Sequence, residues 1–314
     1  MNADNPSALA ETLLGGIVPL DEPPRLLPLS TGRSGALTFE IVAGPRRFIL
    51  KIDARGRSQE RWSSTFEVQR EAAERGITPA VVAWDSSSRA VLSEHVEDIS
   101  LFAALFDPKR IDGALRGLVE AVVSLHAIDP RLSPCDVSPV ERSRSVLERV
   151  PFAVPAFAAG PWRDFLDRGP TEVADTLCHL DLNPSNLIYD GHKVWLVDWD
   201  TAAAGDRWVD LATLLNMLLL PEERATRMLE RYALASGVPG PSAEVLAQAR
   251  RLVYIGYGCA FLELVSEPPQ DTSAGEVSLA ACYRALQEGR LDMDTDEGRW
   301  RLAEAYFAGY WNVV

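Results

Sequence analysis

Between residues 25 and 95 the chain alternates apolar and polar positions in short runs bounded by turn residues, the period-two signature of half-buried strands. Five strands are predicted, over residues 25–29, 37–43, 47–53, 80–84 and 90–95. Between the third and fourth the spacing changes to that of a helix over residues 61–75, closed by Gly76 and followed by Ile77-Thr78-Pro79. A short amphipathic pattern over residues 8–14, ended by Gly15-Gly16, predicts a loosely attached helix within residues 1–22. Beyond residue 96 the periodicity is mostly helical: residues 100–128, 140–150, a stretch around Trp162 and Phe165, then 221–236, 241–266, 273–289 and 294–310. Residues 129–160 are proline-rich and the least regular. One interruption stands out, where two apolar runs at residues 187–189 and 194–197 flank Asp190-Gly191 and read as a β-hairpin. The pattern predicts an α+β protein with a small antiparallel-sheet portion over residues 1–95 and a larger, mainly helical portion over residues 96–314.

Composition narrows the classes. The 314 residues carry a formal net charge of −14, so nucleic acid is a poor partner and a cationic small molecule a good one. The longest apolar runs are too short to span a bilayer. No positively charged leader precedes Arg25, and the four cysteines have neither metal spacing nor the density of a disulfide framework. A cytoplasmic protein, monomer or homodimer, is expected. Lysine occurs only at positions 51, 109 and 193, which singles out Lys51 inside the apolar run Phe48-Ile49-Leu50-Lys51-Ile52.

The chemistry gathers around the hairpin. Asp181 and Asn186 precede it in His179-Leu180-Asp181-Leu182-Asn183-Pro184-Ser185-Asn186, and Asp198 follows it in Val197-Asp198-Trp199-Asp200. Folding the hairpin brings Asp198 beside Asn186. A hard Mg²⁺ takes oxygen ligands, a role that suits Asn186 and Asp198. Asp181 is then placed to position an acceptor hydroxyl and take its proton. His179 and His126 are expected to be architectural, and Asp206 a helix N-cap. The turn Thr31-Gly32-Arg33-Ser34-Gly35 suits a phosphate cover, with backbone N–H groups of Gly32 and Gly35 and hydroxyls of Ser30, Thr31 and Ser34 facing the oxygens. A plain Gly-rich hairpin is the alternative.

The pattern His-x-Asp-x-x-x-x-Asn followed by Asp-x-x, with Gly205-Asp206 and Asp210-Leu211-Ala212 beyond it, resembles the aminoglycoside phosphotransferase and choline kinase family of the protein-kinase fold. The resemblance is most specific over residues 178–212. Asp198-Trp199-Asp200 stands where protein kinases have Asp-Phe-Gly, and no Ala-Pro-Glu follows. The resemblance implies a two-lobed fold, with an N-terminal nucleotide-binding lobe over residues 1–95 and a catalytic, acceptor-binding lobe over residues 96–314. It implies that Lys51 holds the nucleotide phosphates and pairs with a glutamate of the helix over residues 61–75, Glu67 by preference and Glu71 as the alternative. It also implies that Ser93, Glu94, His95 and Val96 form the hinge that meets the adenine, and that Asp210 supports the catalytic loop.

The expected activity is transfer of the γ-phosphate of ATP or GTP, with Mg²⁺, to a hydroxyl of a small cationic acceptor. An aminoglycoside-type antibiotic kinase conferring resistance is the first reading. A metabolic kinase for choline, a sugar or a similar alcohol is the second, and a catalytically silent nucleotide-binding protein the third. Acids and aromatics of the last helices, among them Trp300, Tyr306, Tyr310 and Trp311, are candidates for holding an ammonium group, with helix packing as the alternative.

Overall fold

A computed structural model describes residues 5–17, 22–29, 36–53, 58–133, 137–170, 173–269 and 277–313. The strands β1 (Arg25–Pro28), β2 (Leu37–Ala43), β3 (Arg46–Ile52), β4 (Val81–Asp85) and β5 (Ala90–Glu94) form one antiparallel sheet in the order β1-β2-β3-β5-β4. Alternation sets the register. Phe48, Leu50 and Ile52 point to one face and are fully buried, and Lys51 pairs with Thr38 on one side and Val91 on the other.

The N-terminal helix α1 (Pro6–Leu14) is capped by Asn5, whose side chain accepts from Ala8 N. It is not loosely attached. Leu9, Ala10 and Leu14 are buried in one cluster with Ile41, Phe48, Leu50 and Leu92 of the sheet. The amphipathic pattern was too short to reveal that its apolar stripe matches the open face of the sheet.

Helix α2 (Gln59–Glu74) starts at Ser58, which accepts from Arg61 N, and stops where Gly76 takes φ 69°. The helix expected over residues 100–128 is two helices, α3 (Leu101–Phe106) and α4 (Ile111–His126). Pro108 disfavours helical geometry at Asp107, which is extended at φ −89° and ψ 119°. Then come α5 (Pro139–Arg149), α6 (Ala156–Asp167), β6 (Thr176–Cys178), β7 (Leu187–Tyr189), β8 (Val194–Leu196), β9 (Ala203–Gly205) and α7 (Arg207–Met217). The chain closes with α8 (Glu222–Ser236), α9 (Ala243–Leu262), α10 (Leu279–Gln287) and α11 (Asp296–Tyr310). None of the described helices is long and apolar enough to cross a membrane.

Contacts divide the chain into two compact units. The first holds the five-stranded sheet, α1 to α4, Thr176–Ala204 and Glu230–Val238. The second holds α5, α6, Gly205–Leu229 and α9 to α11. The expected lobe boundary at residue 95 falls inside the first unit. In the second unit an aromatic core joins Phe152, Phe157, Trp300 and Phe307, and Tyr306 stacks on Tyr257 and Phe261. Trp300, Tyr306 and Tyr310 are buried there, so helix packing accounts for three of the four aromatics singled out above, while Trp311 is exposed.

Candidate active site

The first unit carries the whole set of candidate catalytic side chains. Strands β7 and β8 pair in register, Leu187 opposite Leu196 and Tyr189 opposite Val194. The turn between them is held by Asp190, whose Oδ1 accepts from the N–H groups of His192 and Lys193 at 2.8 and 2.9 Å and whose Oδ2 accepts from Trp195 Nε1 at 2.7 Å. Gly191 supplies the φ of 94° that this turn needs. Burial works against the charge on Asp190, but the N–H donors outweigh it and hold its carboxyl below the usual carboxylate range. The hairpin closes one residue past its strands, where Val197 N donates to Asn186 O at 3.0 Å. That bond places Asp198 next to Asn186, as its sequence position predicts.

The loop before the hairpin is internally wired. Asn186 Nδ2 donates to the backbone oxygen of Asp181 at 2.8 Å and to Asp181 Oδ2 at 3.0 Å. Asn183 Nδ2 donates to Asp181 Oδ1 at 2.9 Å, and Asn183 also caps the short turn Pro184–Asn186. The Asp181 carboxylate is thus aimed by two amides. His179 is fully buried, its Nε2 lies 3.1 Å from Val197 O, and its ring packs on Trp199. Its role is architectural. His126 is half-buried and packs edge-on against Tyr232, with Nδ1 2.7 Å from Tyr232 Oη. Asp206 caps α7 through Trp208 N, and Asp210 is fully buried in the first turn of that helix.

Asp198 sits at φ 67°, ψ 67°, a left-handed conformation that costs a non-glycine residue about 1–2 kcal/mol. Neighbouring bonds must hold it. Trp199 Nε1 donates to Thr78 Oγ1 at 3.1 Å, Thr201 Oγ1 donates to His179 O at 2.8 Å, and Ala202 N donates to Trp199 O at 3.0 Å. The twist points both flanking carboxylates at one cation: Lys51 Nζ lies 2.7 Å from Asp198 Oδ1 and 2.8 Å from Asp200 Oδ1.

The Lys51–Glu67 pair expected from the resemblance is not made, and neither is the Lys51–Glu71 alternative. Glu67 bridges Arg70 at 2.5 Å with 45% of its side chain exposed, and Glu71 bridges Arg75 at 2.7 Å. Each glutamate has an arginine of its own helix within one turn, and Lys51 meets two carboxylates of the hairpin exit instead. Asp200 is the residue that reading the sequence passed over, noted only as a departure from Asp-Phe-Gly. Its side chain is 8% exposed. A carboxylate one residue beyond a tryptophan that must be buried was the available signal.

Ser93 and Glu94 end β5, Glu94 N donates to Ala80 O and His95 N to Arg47 O, and the Glu94 carboxylate accepts from Arg46 at 3.5 Å. Val96 follows directly. Ser30, Thr31, Gly32, Ser34 and Gly35 lie outside the described residues.

Asp198 and Asp200 set two carboxylates against one ammonium, Asp181 is joined to Asn186 before the hairpin, and the oxygen donors of all three carboxylates are hard. Both donations of Asn186 come from Nδ2, so its Oδ1 is the atom that an oxygen-seeking cation could take. This donor set fits Mg²⁺ and offers no soft ligand.

A model of the phosphotransferase enzyme family matches residues 25–249. Protein LicA of Haemophilus influenzae is 33% identical over 61 residues, a stretch that covers 19% of this chain and 23% of that protein. Among solved structures, choline kinase LicA from Streptococcus pneumoniae superposes with a TM-score of 0.63 at 16% identity, covering 96% of this chain and 99% of the other. An aminoglycoside-3'-phosphotransferase of type VIII superposes with a TM-score of 0.57 at 23% identity, covering 82% and 100%. The shared architecture is the two-lobed, kinase-like α+β fold.

Proposed function

The chain belongs to the phosphotransferase enzyme family, and on that premise we propose that it is a small-molecule kinase moving the γ-phosphate of ATP to a hydroxyl of a cationic acceptor. The observation that carries the reading is the convergence of Lys51 on Asp198 and Asp200, beside an Asp181 aimed by Asn183 and Asn186. Asp181 accepts the proton of the acceptor hydroxyl as the oxygen attacks phosphorus, and its two amide donors keep the carboxylate oriented while it does so. An ammonium has three N–H donors. Two of those on Lys51 serve Asp198 and Asp200, and the third is left for a phosphate oxygen. Mg²⁺, held by Asn186 and Asp198 with Asp200 alongside, would supply neutralisation of phosphate charge. Ser93 to Val96 are proposed to meet the base, and Ser30, Thr31, Gly32, Ser34 and Gly35 to cover the phosphates.

The net charge of −14 favours a cationic acceptor. An aminoglycoside-type antibiotic is the first candidate. Choline or a similar amino alcohol is the second, favoured by the near-complete overlap with a choline kinase. The experiment is turnover of MgATP and MgGTP with a panel of aminoglycosides, choline, ethanolamine and sugars. Acceptor-dependent nucleoside diphosphate release identifies the class. The absence of release with every acceptor, together with nucleotide binding, would support the silent-protein alternative. Drug susceptibility of cells expressing the chain separates an antibiotic acceptor from a metabolic one.

A further inference from the structure

Helix α2 was expected to reach the catalytic groups through a glutamate, and it does not. It reaches them at its two ends. At its C-terminal end Lys193 Nζ donates to Gly76 O at 3.0 Å and Leu196 N donates to Ile77 O at 2.7 Å, which ties it to the β7–β8 hairpin. At its N-terminal end the tie is Arg61. Its Nη2 donates to Ala202 O at 3.2 Å and its Nη1 to Ser133 Oγ at 3.0 Å. Ser133 Oγ in turn donates to the same Ala202 O at 2.9 Å, and Ala204 N donates to Ser133 O at 2.7 Å.

Both lone pairs of the Ala202 carbonyl are therefore used, by a guanidinium and by a hydroxyl that the guanidinium itself orients. Ser133 and Ala202 are fully buried, so the bonds form away from competing water. Ala202 ends the short turn that begins at Asp198, whose left-handed backbone persists only if the segment beyond it is held. We propose that Arg61 is a positioning residue for phosphoryl transfer: clamped on Ala202 with Ser133, it fixes the Asp198–Ala202 turn and so aims the Asp198 and Asp200 carboxylates. In this chain the clamp gives α2 the link to the reaction centre that a lysine–glutamate pair was expected to give. Arg61 donates to the backbone of the turn at Ala202, so it acts through the turn. The inference rests on the phosphotransfer reading for its kinetic consequence and on geometry alone for the clamp.

Two measurements separate these. Hydrogen exchange reads the clamp without any turnover. In Arg61→Met the amides of Ala202 and Ala204 exchange on the order of tenfold faster than in the wild type, while those of the central strand β3 are unchanged. Kinetics read the consequence. In Arg61→Met kcat falls on the order of tenfold or more and more Mg²⁺ is needed for half-maximal rate, with the acceptor KM within about twofold. Arg61→Lys, which can keep one donation, recovers part of the loss. Ser133→Ala shifts both readouts in the same direction by less, and it decides the matter if Arg61→Met does not fold. Unchanged exchange at Ala202 and Ala204 would overturn the clamp. Faster exchange with unchanged kcat and Mg²⁺ requirement, or a lower Tm with unchanged kcat per folded molecule, would overturn the positioning role. A wild-type chain that turns over no nucleotide would sink the kinase reading, and the exchange data would still decide whether Arg61 holds the turn.

Discussion

Lys51 Nζ donates to Asp198 Oδ1 at 2.7 Å, joining the middle of the sheet to the exit of the hairpin across 147 residues of chain. The second carboxylate, Asp200, lies 2.8 Å from the same nitrogen. With both groups partly shielded from water, the bonds are charge-assisted, and removing the ammonium leaves two like charges facing each other.

Lys51→Met should therefore lower kcat/KM for the nucleotide by about 100-fold or more, the size of loss expected when a charged phosphate contact goes. Glu67→Gln should leave the nucleotide KM within about twofold of wild type, because Glu67 faces Arg70 on the half-exposed side of α2. Steady-state kinetics on the two variants is the check. A large effect of Glu67→Gln would mean that the working enzyme forms a Lys51–Glu67 pair.

Asp181→Asn should bind Mg-nucleotide normally and lose about 10²- to 10⁴-fold in kcat, the range for a general base. Nucleotide titration by calorimetry together with single-turnover transfer separates the two effects. An active Asp181→Asn enzyme would place the base elsewhere.

For Asp198→Ala the expectation is reversed: Mg²⁺-dependent nucleotide affinity disappears, since a methyl group supplies no oxygen ligand. Titration with and without Mg²⁺ reads it directly. Unchanged metal-dependent affinity would remove Asp198 from the ligand set.

The Asp190 carboxylate accepts three N–H bonds within its hairpin and its pKa lies below the ordinary value. Its stabilising effect is present above the unfolded-state value of about 4 and is lost as pH falls through the lower folded value. Asp190→Ala should cost about 2 kcal/mol at pH 7, and the difference from wild type should shrink toward pH 2. Urea unfolding at several pH values tests this. A pH-independent difference would mean that shape, not charge, is what Asp190 contributes.

Cys259 is buried, its thiol reaches Ser143 O at 3.8 Å, and burial pushes its pKa up to about 12. The folded chain should resist alkylation at Cys259 at pH 8, and urea should expose it, as read by peptide mass spectrometry. Its neutral thiol favours the folded state, and this contribution declines as pH rises from about 8.5, where an unfolded thiol ionises, through the folded value. Rapid labelling of the native protein at Cys259 would contradict this burial.

The sequence by itself determined the five strands of the sheet and the helix between the third and fourth, the hairpin around Asp190-Gly191, and the identity of Asp181, Asn186 and Asp198 as neighbours. Those features are local: period-two alternation, turn residues and a short hairpin bring together groups that are already close along the chain. Tertiary structure decided the rest. Whether α1 docks on the sheet depends on a face that strands far along the chain assemble. Whether Lys51 meets Glu67 or Asp200 depends on side chains whose periodicity is the same in either case. Glu67 and Glu71 each had an arginine within one helical turn, and Asp198 and Asp200 were turned toward Lys51 by a left-handed backbone that no residue pattern announces. Choosing among several carboxylates for one ammonium is a matter of a few ångströms, and only the packed chain sets distances on that scale.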